Sequence, residues 1–366
     1  MNLSMSQQNY ILEKLKRQRE EAYTKTQESR DEAKKIKKYF RGDQLPEDVI
    51  EVLKSREQPI EWENIIKKIA NKIMGLKLLS KQEINAFARQ VEDKAAASVI
   101  TNVLRVSQDS TEYWSYKKRA DKDLLLTGVG IMKPVIKELG DVDLLGKKER
   151  DLRYYHLPLE QSFWDPYFIN PDGSDMRYFH EVRLIEKEEL YEFFDYELVD
   201  KIPVVNDVEI NEYLVEQNGY SQRVKITYSW YKAYDKKQRR NVVYYCIWGD
   251  DVMLAHRESP YNMNRIPISV RRVNDPDCDD LTSFYSIFRD IMPIQDRINF
   301  THLRIANMLG SIKMIFESDA VEDAETFIEE FGLDDAMNSI ETAHGIRNAE
   351  IVGLVGDYHP LLKART

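Results

Sequence analysis

The chain carries 366 residues, 42% hydrophobic and 32% charged, with a net charge of −10 at neutral pH. That balance can bury a core, which excludes a disordered chain, and the length suits two or three domains or one elaborated domain. No apolar run approaches the ~18 residues of a membrane span, the N-terminus lacks the apolar stretch of a secretory signal, and two cysteines, Cys246 and Cys278, point to a reducing assembly compartment rather than a disulfide framework.

In chain order, residues 5–41 read as a charged helix with thinly spaced apolar points at Met5, Tyr10, Ile11, Leu15 and Tyr23, stopped at Gly42. Eleven Lys and Arg against six Asp and Glu leave residues 1–41 five positive charges in excess. A short segment opens at Leu45-Pro46-Glu47-Asp48, and residues 62–75 form a second amphipathic helix closed by Gly75. Ile84, Phe87, Val91, Ala95, Val99, Val103 and Leu104 keep a three-to-four spacing, which predicts one long helix from Glu83 to about Leu126. Thr127-Gly128-Val129-Gly130 ends it.

Residues 131–139 and 150–159 then alternate like strands. The turn-rich stretch FWDPYFINPDGSDMRY (163–178) follows, and a helix is expected over 185–198. From 202 to 273 the chain reads as β, with runs at 223–234, 241–250, 251–258 and 266–273 and a hairpin turn at KKQRR (236–240). A long helix over 283–311 places Phe284, Ile287, Phe288, Ile291, Ile294 and Ile298 on a seven-residue beat, with a kink expected at Pro293. A short acidic helix (319–332) lies in a tail whose residues 317–366 carry twelve acidic against three basic groups.

Motifs that carry chemistry are sparse. There is no phosphate-cradling loop, no nucleophile elbow and no histidine pair at metal-ligand spacing. Asp275-Pro276-Asp277-Cys278-Asp279-Asp280 packs four carboxylates into six residues. Such acids hold Mg²⁺ in phosphoryl-transfer enzymes, and they equally cap a following helix. Asp172-Gly173-Ser174-Asp175 lacks the spacing of a calcium loop and reads as a tight turn. Trp164-Asp165-Pro166 reads as a turn whose aspartate ties down local backbone. Tyr228, Trp230, Tyr231, Tyr244, Tyr245 and Trp248, expected to be exposed aromatics of the β region, are the residue types that interfaces favour.

Several stretches in order resemble the portal proteins of tailed double-stranded DNA phages, most of all the short-tailed type. The first is residues 39–75, with Tyr39, Gly42, Gln44, Arg56, Asn64 and Gly75 in the places of a Y-x-G-x-Q turn and an asparagine-bearing helix. Residues 93–110 and 119–136 follow, then FWDP…DGSDMRY, then SPYNMNRIPISV (259–270) and MPIQDRINFTH (292–302), the last similar to a Q-x-x-x-N helix.

The resemblance implies an α+β portal fold of long helices with a β-rich clip insertion, assembling into a dodecameric ring at one capsid vertex. Its expected regions are a wing over 1–184, a first stem helix over 185–201, a clip over 202–273, a second stem helix over 274–311 and a return to the wing over 312–366, with the crown reduced or missing. Trp164, Asp165 and Pro166 would form the wing–stem corner. Phe284, Ile287, Phe288, Ile291, Ile294 and Ile298 would pack the ring, and the six clip aromatics would dock partners. The expected partners are further copies of the chain, double-stranded DNA passing without sequence preference, the terminase large subunit, the major capsid protein or scaffold, and a tail adaptor. No membrane, cofactor, metal or catalytic residue is expected, and the place is the virion after assembly in the host cytoplasm. The alternatives are a Mg²⁺-dependent nuclease using Asp275–Asp280 and a helical scaffolding or adaptor protein.

Overall fold

The computed structural model describes residues 4–55, 60, 62–79, 84–110, 112–142, 148–205, 223–235, 239–261, 263–274, 282–310, 314–315 and 350–351. The chain divides into two compact units. One joins Met1–Gly42 to Ile66–Met292, and the other joins Asp43–Ile65 to Pro293–Thr366.

The first unit is layered. Helix α1 (Met5–Arg41) opens with the Ser4 N–H donating to Gln7 Oε1 at 3.1 Å and closes on Gly42, whose φ of 118° only glycine adopts cheaply. Its inward stripe is Leu12, Leu15, Ala22, Thr26, Arg30, Ala33 and Ile36, so three of its buried positions, with Ser29, are polar. This stripe covers one face of a five-stranded antiparallel sheet ordered β3–β4–β5–β6–β7. The strands are β3 (Ser162–Trp164), β4 (Tyr178–Glu186), β5 (Arg223–Asp235), β6 (Arg240–Gly249) and β7 (Val252–Glu258). Strand alternation then sorts the aromatics. Tyr178, Tyr231 and Trp248 face α1 with Leu12, Leu15 and Cys246. Phe179, Trp230 and Val243 face the opposite way.

There they meet a three-stranded sheet ordered β2–β1–β8, built from β1 (Val129–Val142), β2 (Lys148–Leu157) and β8 (Ser269–Arg272). Val129, Ile131, Leu157 and Val270 supply its side of the core. Helix α5 (Tyr113–Thr127) ends at Gly128 with φ 84°, and with α3 (Ile65–Leu79) and the end of α1 it encloses Ile36, Tyr39, Ile66, Leu125, Leu126 and Phe288. The fold is α+β, as the sequence implies.

The second unit contains α2 (Glu47–Ser55), most of α8 (Met292–Gly310) and an antiparallel pair, β9 (Met314–Ile315) with β10 (Glu350–Ile351). Between the strands of the first unit lie two one-turn helices, α6 (Lys187–Tyr191) and α7 (Tyr196–Asp200).

Several expectations need correction. The long helix expected over 83–126 is interrupted. Residues 84–90 form neither helix nor strand, a 3₁₀ turn covers Val91–Asp93, and α4 (Lys94–Ser110) is followed by a separate α5. Thr101 Oγ1 accepts the Ala86 N–H at 3.0 Å, which ties this stretch to α4, and Phe87, Val91, Val99 and Val103 are exposed on this chain. Gly75 does not close its helix, which continues to Leu79. The helix expected over 185–198 is instead the end of β4 followed by α6 and α7, because Ile185 and Glu186 pair with Val224 and Arg223.

The helix expected from 283 begins at Met292. Pro293 sits in its first turn, where its missing N–H costs nothing, rather than at a kink. Upstream, Ser29 Oγ accepts the Phe284 N–H at 3.1 Å and the Ser286 hydroxyl donates to Leu125 O at 2.7 Å, bonds that hold residues 283–286 out of a helix. Two described strands of the 202–273 stretch pair with strands outside it. β5 is hydrogen-bonded to β4, and β8 to β1. The Asp275–Asp280 cluster, Cys278 and the helix expected over 319–332 lie outside the described residues.

Candidate functional site

The stretch from 163 to 178 connects β3 to β4, and its polar residues close a cage around one carboxylate. Asp165 is 1% exposed. Its Oδ1 accepts from the Tyr167 N–H at 3.2 Å and Arg177 Nη2 at 2.9 Å, while Oδ2 accepts from the Arg177 N–H at 3.1 Å and Nε at 2.7 Å. This two-pronged pairing holds the Arg177 guanidinium charged, well above its ordinary range. Asp175 accepts from the N–H groups of Ile169 and Asn170, and Asp172 from that of Ser174 at 3.0 Å. The backbone bond to Ser174 holds the Asp172 carboxyl below its usual range. Trp164 is buried against Phe284, ring centroids 5.5 Å apart, and Pro166 is buried beside it in sequence. Every carboxylate in the motif is used on backbone, so the stretch is a structural corner between two strands.

A second constellation lies within the other unit. Gln44, Gln295 and Asn299 are each 4% exposed or less. Asn299 Nδ2 donates to Gln44 Oε1 at 2.8 Å, and Gln295 Nε2 donates to Asn299 Oδ1 at 2.8 Å and to Glu63 O at 2.6 Å. Gln295 Oε1 accepts the Ile65 N–H at 3.0 Å, satisfying a donor that the start of α3 leaves open. The Q and N of the last motif are thus joined to the Q of the first. The one-turn spacing of Gln295 and Asn299 puts both on one face of α8.

The aromatic candidates separate differently from expectation. Trp230, Tyr231 and Trp248 are buried and Tyr228, Tyr244 and Tyr245 half-buried, because their strands lie inside the sheet with layers on both faces. On this chain they are packed into the core. Of the helical candidates, Phe284 and Phe288 are buried in two different cores of the first unit. Ile291 and Ile298 are half-buried, and Ile287 and Ile294 are exposed. The seven-residue beat therefore does not form one stripe.

Under α1 the core holds further polar groups. The Ser229 hydroxyl accepts from Trp248 Nε1 at 2.7 Å and is hydrogen-bonded to His180 Nδ1 at 2.8 Å. His180 Nε2 is buried without a partner among the described residues. Burial, with the nearby Arg19 charge, holds His180 neutral and lowers its pKa to about 3. Burial likewise pushes the Cys246 thiol up to about 12. Glu181, fully buried, is paired with Lys133 at 2.7 Å and with Arg183. Arg30 was legible only as part of a charged helix, yet it is 5% exposed and donates to the carbonyls of Leu159 and Ser162 while lying over Phe163. Arg177 was likewise missed as the partner of Asp165, and a lone arginine just before β4 was the available signal.

Among the described residues no three His, Cys, Asp or Glu side chains come together as a metal site. No helix among them is long and apolar enough to cross a membrane. The motif residues act on backbone and on one another, and this defines a scaffold in which recognisable sequence serves architecture. The sequence matches the family model described as phage P22-like portal protein over residues 16–350. It is also 29% identical over 319 residues to the portal protein of Helicobacter pylori bacteriophage KHP30, a match covering 87% of this chain and 49% of that protein. The chain belongs to the P22-like portal protein family, and it spans about half the length of the curated relative it matches.

Proposed function

We propose that the protein is a structural component of a phage virion, a portal subunit that forms a ring at one capsid vertex through which DNA enters and leaves. The observation that carries this reading is the family match across residues 16–350. Two features support it. The Asp165–Arg177 corner and the Gln44–Asn299–Gln295 ladder explain the motif residues as architecture. The net charge of −10 suits a conduit that duplex DNA passes without sticking. The terminase large subunit, capsid protein or scaffold, and tail adaptor are the partners this role requires, and a twelve-fold ring is the assembly.

The regional division is redrawn. Strands β5, β6 and β7 belong to one wing-like body with β3 and β4, whose sheet they share, and with α1, which packs on that sheet. Helix α8 is the stem candidate, with Ile294 and Phe300 as its exposed apolar groups. Light scattering with electron-microscope images of the same fraction tests the proposal. Rings with a central hole are expected, and a monodisperse monomer or dimer at every concentration tested would overturn it.

A further inference from the structure

The first unit carries two exposed surfaces of opposite charge at opposite ends of α1. One is the outer face of α3. Lys67, Lys68 and Lys72 are exposed there, no acidic residue occurs between Ile65 and Leu79, and Leu76, Leu78 and Leu79 follow, all exposed. The other is the α6–α7 knob. Glu188, Glu189, Glu192, Asp195 and Glu197 are exposed around Phe193 and Tyr196, which are 76% and 64% exposed. The Lys187–Asp200 ion pair at 2.9 Å and stacking of Tyr191 on Tyr196 at 4.5 Å hold the knob together.

Their separation follows from what α1 touches. Near its start, Lys16 lies 4.0 Å from Asp250 in the β6–β7 turn. Beside that turn a Cβ on Gly249 would meet Ile202, which shares a core with Leu190 and Val199 of the knob. Near its end, Ile36 and Tyr39 share a core with Ile66 and Ala70 of α3. Some twenty residues of helix between Lys16 and Ile36, at ~1.5 Å each, put the two cores about 30 Å apart. A basic apolar surface at one end and an acidic aromatic one at the other form a head-to-tail pair, the kind of contact that generates a ring when its rotation closes, rather than a two-fold dimer.

We infer that α3 of one copy docks on the α6–α7 knob of the next, with Phe193 and Tyr196 against Leu76, Leu78 and Leu79 and the lysines facing the glutamates. This rests on the ring-forming reading above and assigns it a contact. The test uses charge reversal in the full chain. One variant carries Glu188→Lys with Glu192→Lys, a second carries Lys68→Glu with Lys72→Glu, and a third carries all four. Circular dichroism melts matching wild type establish folding.

Either pair alone should raise the concentration needed for rings by at least about tenfold, because like charges then face each other. The four-fold swap, and an equimolar mixture of the two reversed chains, should recover rings. Rings unaffected by either reversal would overturn the contact while leaving the portal reading intact. Loss without recovery in the swapped chain would also overturn it. Failure of wild type to form rings at all would instead sink the portal reading and the contact with it.

Discussion

Asp165 shows how a motif residue without chemistry can still be indispensable. Replacing it by alanine strands the Tyr167 and Arg177 N–H groups in a buried corner and frees a guanidinium that is half exposed, so water solvates part of the loss. The expected cost is about 2–3 kcal/mol in chemical denaturation of the chain, with Asp165→Asn milder because its amide oxygen still accepts. Equal stabilities for wild type and Asp165→Ala would remove the corner from the account. His180 makes the second residue-scale prediction. Its pKa is about 3 folded against 6.5 unfolded, so between those values the unfolded chain binds the extra proton. Stability is therefore fully present above pH 6.5 and falls as pH drops toward 3, by about 1.4 kcal/mol per unit from this group. Denaturant midpoints from pH 7 to 4 should flatten in His180→Gln relative to wild type, even if that variant is weaker at pH 7. Parallel slopes would mean His180 does not titrate there.

At the scale of elements, two helix-ending glycines make opposite predictions from the same sequence signal. Gly42 has φ 118° and open space where a Cβ would go, so Gly42→Ala should cost only the left-handed conformation, about 1–2 kcal/mol. Gly128 has φ 84°, and a Cβ there would lie 2.2 Å from the Tyr285 carbonyl oxygen. Gly128→Ala should therefore fail to fold or lose more than ~4 kcal/mol, because the obstruction is backbone. Soluble expression and melting of the two variants check this, and similar losses would contradict it. Both stops were legible, as were α1, the β1–β2 pair and the 223–249 hairpin, since glycine after a charged helix and period-two alternation are local signals. What misled was apolar spacing whose meaning depends on distant partners. Val99 and Val103 keep helical spacing yet face outward on this chain, and Phe284 and Phe288 sit one turn apart in sequence but in different cores. The 185–198 segment reads as helix from its glutamates, whereas pairing of Ile185 with Val224 is a non-local event that composition does not announce.

For the whole molecule, the family and the α+β class are legible in the sequence. A β-rich run between two expected helices suggested a protruding insertion, and only the pairing of β4 with β5 and of β1 with β8 reveals that the strands belong to one body. Burial of the aromatics is non-local in the same way, since Trp230 and Trp248 become core once layers cover both faces of the sheet. Charge is the property that survives intact from sequence to whole molecule, and it makes the last prediction. A protein that grips duplex DNA neutralises phosphates and releases counterions, so its affinity climbs steeply as salt is lowered. Here the net charge is −10, and the excess positive charge of residues 1–41 is outweighed by the rest of the chain. At 0.15 M salt, where the screening length is ~8 Å, only local basic faces such as α3 could attract a duplex. If those faces are turned to neighbouring copies, nothing of the kind remains on offer. A short duplex at micromolar protein should therefore stay free in fluorescence anisotropy at 0.15 M salt, and remain free on dilution to 0.05 M. Binding that strengthens markedly over that interval would mean the chain presents a cationic surface to DNA, and the non-adhesive conduit would have to be abandoned.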